Sequence, residues 1–339
     1  MEAVVTRHKG LYQRFSLLDR RYATCGISAH RRRALWAALE EDPLFQEMLK
    51  DETVDDRVRE GLRADLTECR RIRAVMEEQG DQWCASSIYE ALIAISFFLP
   101  SGDDFVFRGH LDAQWRLIPS FFRMQPRISL MLHARTVYGA YRWVERAVGE
   151  PLSLTPFEAE AAAQHYGAGT TLLDVTESLR VAAYFATTPL RETEKRAERG
   201  SIYVFSVDDL AGAGRSVLRG RTLPASLTRI HRTNGAFVSG LGYAEGETRP
   251  IVCSASDITE WLNASAHQIT SLDEVGLGIE RALADHRLVE SAVVRFTQIG
   301  ESFVDEAWGV SRQQIGYREG IRSMETHVNP ATRTLPIPK

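Results

Sequence analysis

Gln164-His165-Tyr166-Gly167, running on through Thr170, Leu172-Leu173-Asp174 and Thr176 to Ala183-Tyr184-Phe185-Ala186, is the stretch on which the fold turns. It reads as a helix end, a glycine turn, a short strand and a second, apolar helix. Upstream, Thr155-Pro156-Phe157-Glu158 carries a helix start: Thr155 as cap, Pro156 in the first turn and Glu158 placed for a capping box. That helix should run to about Gln164-His165 and stop at Gly167. Residues 170–176 then predict a strand and 179–186 a short apolar helix. Ser201-Ile202-Tyr203-Val204-Phe205 predicts another strand, reached through the charged loop 191–199. A buried polar group is costly unless something pairs with it, so His165, Asp174 and the tyrosines call for an explanation within this apolar run.

Outward from that core, the first hundred or so residues read as helical. Ser28-Ala29-His30 precedes an apolar-periodic stretch over 31–40, with Leu35, Leu39 and Phe45 at helical spacing. The Arg31-Arg32-Arg33 triplet reads as a solvated helix start rather than a nucleic-acid contact. Residues 55–79 form an amphipathic surface helix with a stripe of Val58, Leu62, Leu66, Ile72 and Val75. Ser86-Ser87 caps a more apolar helix over 88–98, which ends at Pro100-Ser101-Gly102. Beyond it, Phe105-Val106-Phe107 is strand-like and 128–149 helical. Further strands are expected at 236–238, 251–253 and 291–296, helices at 277–283 and 303–308, and a mobile tail from His327. A helical block followed by short strands, not strictly alternated with helices, favours an α+β fold over a doubly wound sheet. The expected organisation is a helical region over 1–85 packed on a mixed, mainly antiparallel sheet domain over 86–320, with a tail over 321–339.

Composition excludes several function classes. The 339 residues are 44% hydrophobic and 25% charged, as in ordinary globular chains. A net charge of −4 gives no global attraction to nucleic acid or anionic membranes. The longest apolar run, 91–100, is too short to span a bilayer, and the first residues lack a signal-peptide layout, so a cytoplasmic location is expected. Cys25, Cys69, Cys84 and Cys253 lack CxxC spacing and read as reduced thiols. No Walker A, GxGxxG, HExxH or GxSxG motif occurs, and Gly235, Gly240 and Gly242 lack the strand-to-helix context of a phosphate loop. The nine histidines are dispersed, so no metal site is expected.

Phe107-Arg108-Gly109 supplies the candidate charge. An arginine closing an apolar strand either pairs with an internal carboxylate, Asp174 for example, or receives an anion. The glycine beside it admits the close approach of a ligand or of another backbone. His165 suits a helix C-terminus as a packed or capping residue, or it serves as a catalytic group. Asp174, flanked by Leu173 and Val175, should be paired or have a shifted pKa. Tyr184 and Phe185 either wall a pocket or belong to the core.

These segments resemble the FRG domain, named for its Phe-Arg-Gly motif. Trp115-Arg116-Leu117-Ile118-Pro119-Ser120 with Phe122-Arg123, Arg229-Ile230 with Gly235-Ala236-Phe237, and Trp308-Gly309-Val310 resemble its further elements, so the likeness runs over roughly 86–320. Thr171 and Val175 stand where the family usually carries Arg and Trp. Thr233, with Asn234 beside it, stands where a glutamine is expected, and Gln314-Ile315-Gly316-Tyr317 replaces the closing run. The layout is also similar to that of ADP-ribosyltransferases, which implies a sheet of that character and NAD as substrate, with no metal. On that resemblance Arg108, His165 and Asp174 would be the catalytic set. Arg108, Gly109, Thr176, Tyr184, Thr233 and Asn234 would hold the nucleotide. The implied activity is ADP-ribosyl transfer by an enzyme or toxin, in bacterial antiphage defence or a toxin–antitoxin pair. The alternative is a non-catalytic nucleotide sensor or protein-interaction module. The implied partners are a nucleotide-like small molecule and a protein docked on the N-terminal helices. No membrane is implied, and nucleic acid enters only as an acceptor substrate.

Overall fold

Seven short runs, most of them rich in β-branched and aromatic residues, form one sheet: β1 (Gln82–Ala85), β2 (Phe105–His110), β3 (Leu173–Thr176), β4 (Arg199–Ser206), β5 (Val217–Arg219), β6 (Gly235–Val238) and β7 (Ala292–Thr297). Their order is β1-β7-β4-β2-β3-β6-β5. The β1–β7 pair is parallel and the others are antiparallel. The computed structural model describes residues 2–24, 43–50, 52–80, 82–98, 104–117, 119, 144–146, 149, 152–165, 169–189, 195–213, 215–238, 292–298 and 303. The α+β class with a mixed, mainly antiparallel sheet is as the sequence implies.

The helices are α1 (Glu2–Thr24), α2 (Pro43–Lys50), α3 (Asp56–Gln79), α4 (Ile88–Ile93, continued as a π turn over Ala94–Phe98), α5 (Pro156–His165), α6 (Leu179–Thr187), α7 (Val207–Gly212) and α8 (Thr228–Arg232). Their starts follow local chemistry. The Ser87 hydroxyl accepts from Glu90 N at 3.2 Å at the head of α4. Thr155 Oγ1 accepts from Glu158 N at 3.3 Å, and Glu158 returns the bond to Thr155 N at 2.7 Å, which closes the capping box of α5. The α3 stripe buries Leu66, Cys69 and Ile72 but leaves Val58 exposed. β1 departs from the sequence reading, which put everything up to residue 85 in helices. Four residues are too few for periodicity to register, yet Trp83 and Ala85 are buried and the strand extends the sheet beside β7. The expected elements at 31–40, 251–253, 277–283 and 304–308, most of 128–149 and the tail from His327 lie outside the described residues.

Strand alternation assigns each side chain to a face. Phe105, Phe107, Ile202, Val204, Val294 and Phe296 point to the front, where α1, α4 and α6 cover them. Phe237 and Leu218, also on the front, are covered by α5 and α8. Val106, Leu173, Val175, Tyr203, Phe205 and Val293 point to the back and pack with Leu117 and with Leu210 of α7.

The front layer is tied together by charge as well as apolar burial. His8 of α1 is buried; its Nε2 lies 2.8 Å from Glu68 of α3 and its Nδ1 3.1 Å from the Ser87 hydroxyl. Arg71 donates to Glu68 at 2.7 Å and also to Glu90, which accepts from Ser86 N at 2.8 Å. Burial pushes the Glu90 carboxyl up, but the bonds from Ser86 and Arg71 outweigh it and hold the group below the ordinary carboxylate value. Glu68 follows the same pattern: burial raises it, and Arg71 and His8 bring it below.

Candidate functional site

The three motif residues on β2 do different work. Gly109 faces the front beneath α6, where an added Cβ would lie 1.9 Å from the Ala182 carbonyl oxygen and 2.7 Å from Ala186 N. Of the two close approaches a glycine admits, this one is filled by backbone. Phe107 packs on the front core. It also forms the single ladder pair between β2 and β3, opposite Thr176. By contrast β2 pairs with β4 at every residue from Phe105 to His110. The sheet is therefore split along β2–β3: a four-stranded part, β1-β7-β4-β2, meets a three-stranded part, β3-β6-β5, at one pair.

Arg108 sits at this seam and points to the back. Its Nη1 donates to the main-chain carbonyl of Asp174, and its Nε donates to His110 Nε2 at 2.8 Å. Arginine cannot accept, so His110 Nε2 must be the unprotonated nitrogen and the ring proton belongs on Nδ1. A proton on Nε2 would set donor against donor. His110 in turn packs edge-on to Tyr203 at 5.0 Å and against Trp115 at 6.1 Å between ring centroids. The turn carrying Trp115 is pinned: Ala113 N donates to Arg199 O at 2.8 Å, Gln114 N to Asp112 Oδ1 at 2.8 Å, and Gln298 to Leu111 O.

Asp174 differs from expectation. Its neighbours Leu173 and Val175 are core residues, but they point to the back, and alternation turns the Asp174 side chain to the front, where it is exposed. Arg108 donates to the Asp174 carbonyl. His165 ends α5 on the same front face, its ring edge-on to Phe237 at 5.4 Å and its Nε2 over Gly235. His165 and Asp174 thus share the front, while Arg108 reaches the seam from the back.

The other expected nucleotide contacts are built into the frame. Thr176 Oγ1 donates to Thr233 O at 2.8 Å and accepts from Ser178 N at 3.0 Å. Thr233 Oγ1 donates to Ile230 O at 3.1 Å at the end of α8. Asn234 takes a left-handed conformation with φ 46°, and its carbonyl accepts from Glu177 N at 2.8 Å. Tyr184 is 1% exposed, inside α6. Gln164 and Glu160, both buried, hold the turn into β3: Gln164 donates to Leu172 O at 3.1 Å and accepts from Thr170. Glu160 accepts from Thr171 N and Oγ1, both at 2.7 Å. Tyr166 and Gly167 lie outside the described residues.

Sequence reasoning missed His110, although its position two residues after Arg108 in a strand puts both on one face. It also missed Glu177, which with Asp104 receives Arg219 at the lower end of the seam. Among the described residues, His8, Glu68 and Glu90 are a group whose ligand-type atoms lie within 4.8 Å of one another. Arg71 already bridges the two carboxylates and supplies the positive charge there. No helix among the described residues is long and apolar enough to cross a membrane.

Residues 103–195 match the family model of the FRG domain, a span that runs from the start of β2 past α6 and takes in both strands of the seam. No curated protein and no solved structure matches the chain.

Proposed function

The chain carries an FRG domain, and on that footing we propose that it binds NAD at the β2–β3 seam and transfers ADP-ribose from it. The observation that carries this reading is the placement of Arg108: a guanidinium held at a break in the sheet, beside an imidazole and an exposed indole. A cation with neighbouring aromatic surface suits a ligand that joins phosphate to flat rings. In the reaction the C1′–nitrogen bond to nicotinamide breaks, and nicotinamide leaves neutral with the bonding pair. A bond from C1′ to an acceptor oxygen or nitrogen forms, and the acceptor gives up its proton. Positive charge builds on the ribose in between, and for a ribose that lies on the front face the exposed Asp174 carboxylate is the group suited to stabilise it. His165, on the same face, is the candidate base for the acceptor.

The test is nicotinamide release from NAD by the purified full chain, compared with Arg108→Ala and Asp174→Asn. Release should fall at least about tenfold in each variant, the scale of losing one charged contact to the transition state. Saturable NAD binding with no turnover, with protein or nucleic-acid acceptors present, would sink the transferase. It would leave a nucleotide-sensing module. A toxin role in bacterial defence predicts growth arrest on expression that Arg108→Ala relieves.

A further inference from the structure

Trp115 is the one aromatic side chain that is both large and exposed among the described residues, at 42%. Two main-chain bonds, the Asp112 carboxylate and the Gln298 side chain fix the turn that carries it, and its ring lies 6.1 Å from that of His110. An indole carried on a turn already fixed costs little backbone freedom when a ring is laid on it. Beneath it runs a row of residues paired directly across three strands on the back face: His110 of β2, Ser201 of β4 and Arg295 of β7. Arg199, two residues before Ser201, shares that face. Ser201 is 1% exposed, and its hydroxyl has no hydrogen-bond partner among the described residues. An unpaired buried hydroxyl is costly, so a polar group from outside would be welcome there. Neighbouring strands lie about 4.8 Å apart and Arg295 is offset from Arg108 by two residues along them, which sets the two backbones roughly 12 Å from each other. The acidic neighbour on the Trp115 turn, Asp112, already accepts from Gln114 N.

We propose that the back face is the nucleotide platform: a purine or nicotinamide ring stacks on Trp115, and the diphosphate lies between Arg108 and Arg295 over the Ser201 hydroxyl. This rests on the reading of the chain as an NAD-binding protein but not on the roles given there to Asp174 and His165: it chooses the Arg108 face, from which the sheet separates those two side chains, and names Trp115 as the residue that recognises the ring. Stacking is tolerant of ring identity, so Trp115 gives affinity for any flat base, while the paired arginines select a diphosphate over a monophosphate.

The experiment measures calorimetric affinities of the full chain for ADP-ribose, AMP and inorganic pyrophosphate, with circular dichroism confirming that each variant is folded. Trp115→Ala should weaken ADP-ribose on the order of tenfold to a hundredfold, the scale of one stacked base. It should leave pyrophosphate unchanged, and Trp115→Phe should restore most of the loss. Arg295→Ala should weaken ADP-ribose and pyrophosphate more than AMP. Unchanged ADP-ribose affinity in Trp115→Ala overturns the proposal. Loss of binding in His165→Ala with retention in Trp115→Ala also overturns it, but leaves NAD binding standing on the front face. A wild-type chain that binds neither ADP-ribose nor NAD removes both.

Discussion

Replacing Gly109 by alanine tests the tightest glycine contact among the described residues. The added Cβ would sit 1.9 Å from the Ala182 carbonyl oxygen, where ordinary contact begins near 3.4 Å, an overlap of about 1.5 Å. Two further backbone atoms, Ala186 N and Ala182 C, lie at 2.7 and 2.9 Å. Nothing flexible is in the way, so α6 itself must withdraw. Its inner face carries Ala182, Ala183 and Ala186, all fully buried, and drawing them back opens gaps along the front core. Overpacking of well-filled interiors costs about 1–3 kcal/mol, and a clash made wholly with backbone belongs at the upper end, about 3 kcal/mol. Gly235→Ala is the internal comparison, because its Cβ meets a side-chain tip, His165 Nε2, at 2.9 Å and the ring can tilt aside. Urea unfolding should therefore show a large fall in midpoint for Gly109→Ala and a small one for Gly235→Ala, with the denaturant slope unchanged in both. A Gly109→Ala chain within about 0.5 kcal/mol of the wild type would refute the packing account. So would one that keeps its stability and loses nucleotide binding, since that glycine would then be leaving room for a ligand.

Three further variants probe the described contacts. Glu68 and Glu90 have folded pKa values below their ordinary ones, so their contribution is complete above pH about 4.5 and is lost as pH falls through the folded values; Glu90→Gln should flatten that acid limb in a pH series of melting curves. At neutral pH the same variant should cost about 1–3 kcal/mol, since it weakens the bonds from Arg71 and Ser86 to a buried carboxylate. Thr155→Ala removes the α5 cap and should lower stability by about 1 kcal/mol, read by urea unfolding, with no change in NAD binding. Thr171→Val withdraws one of the two donors that Glu160 accepts inside the core and should cost about 1–2 kcal/mol by the same assay.

Local chemistry was legible in the chain. The Thr155–Glu158 capping box, the Ser87 cap and the strands at 201–205, 236–238 and 291–296 follow from neighbours in sequence, and the structure has them. What depends on the assembled sheet was not. Leu173-Asp174-Val175 reads as a buried carboxylate when scanned linearly, because hydrophobic neighbours look like a hydrophobic environment. In a strand those neighbours face away, and only the pairing register says so. The His8–Glu68–Arg71–Glu90 network joins His8 to Glu68 across 60 positions and Arg71 to Glu90 across 19, spacings with no local signature. Gly109 was legible as a close approach, but what approaches it is settled only by where α6 lands. The seam itself is a missing ladder, and an absent hydrogen bond leaves no mark in composition or period.

That seam changes how the two parts of the sheet are coupled. Across β2–β4 the backbones are locked by bonds that have direction and length. Across β2–β3 the described contacts are one ladder pair, Arg108 on the Asp174 carbonyl, the Arg219–Asp104 ion pair, and the shared apolar packing of Val106, Leu173 and Val175 on the back face. Dispersion and the hydrophobic effect have little directional preference, so such a joint resists separation far more than it resists shear. Shear of the three-stranded part against the four-stranded part therefore meets fewer directional bonds than shear within either part, and Arg108, the candidate anion contact, is one of the groups that span the joint.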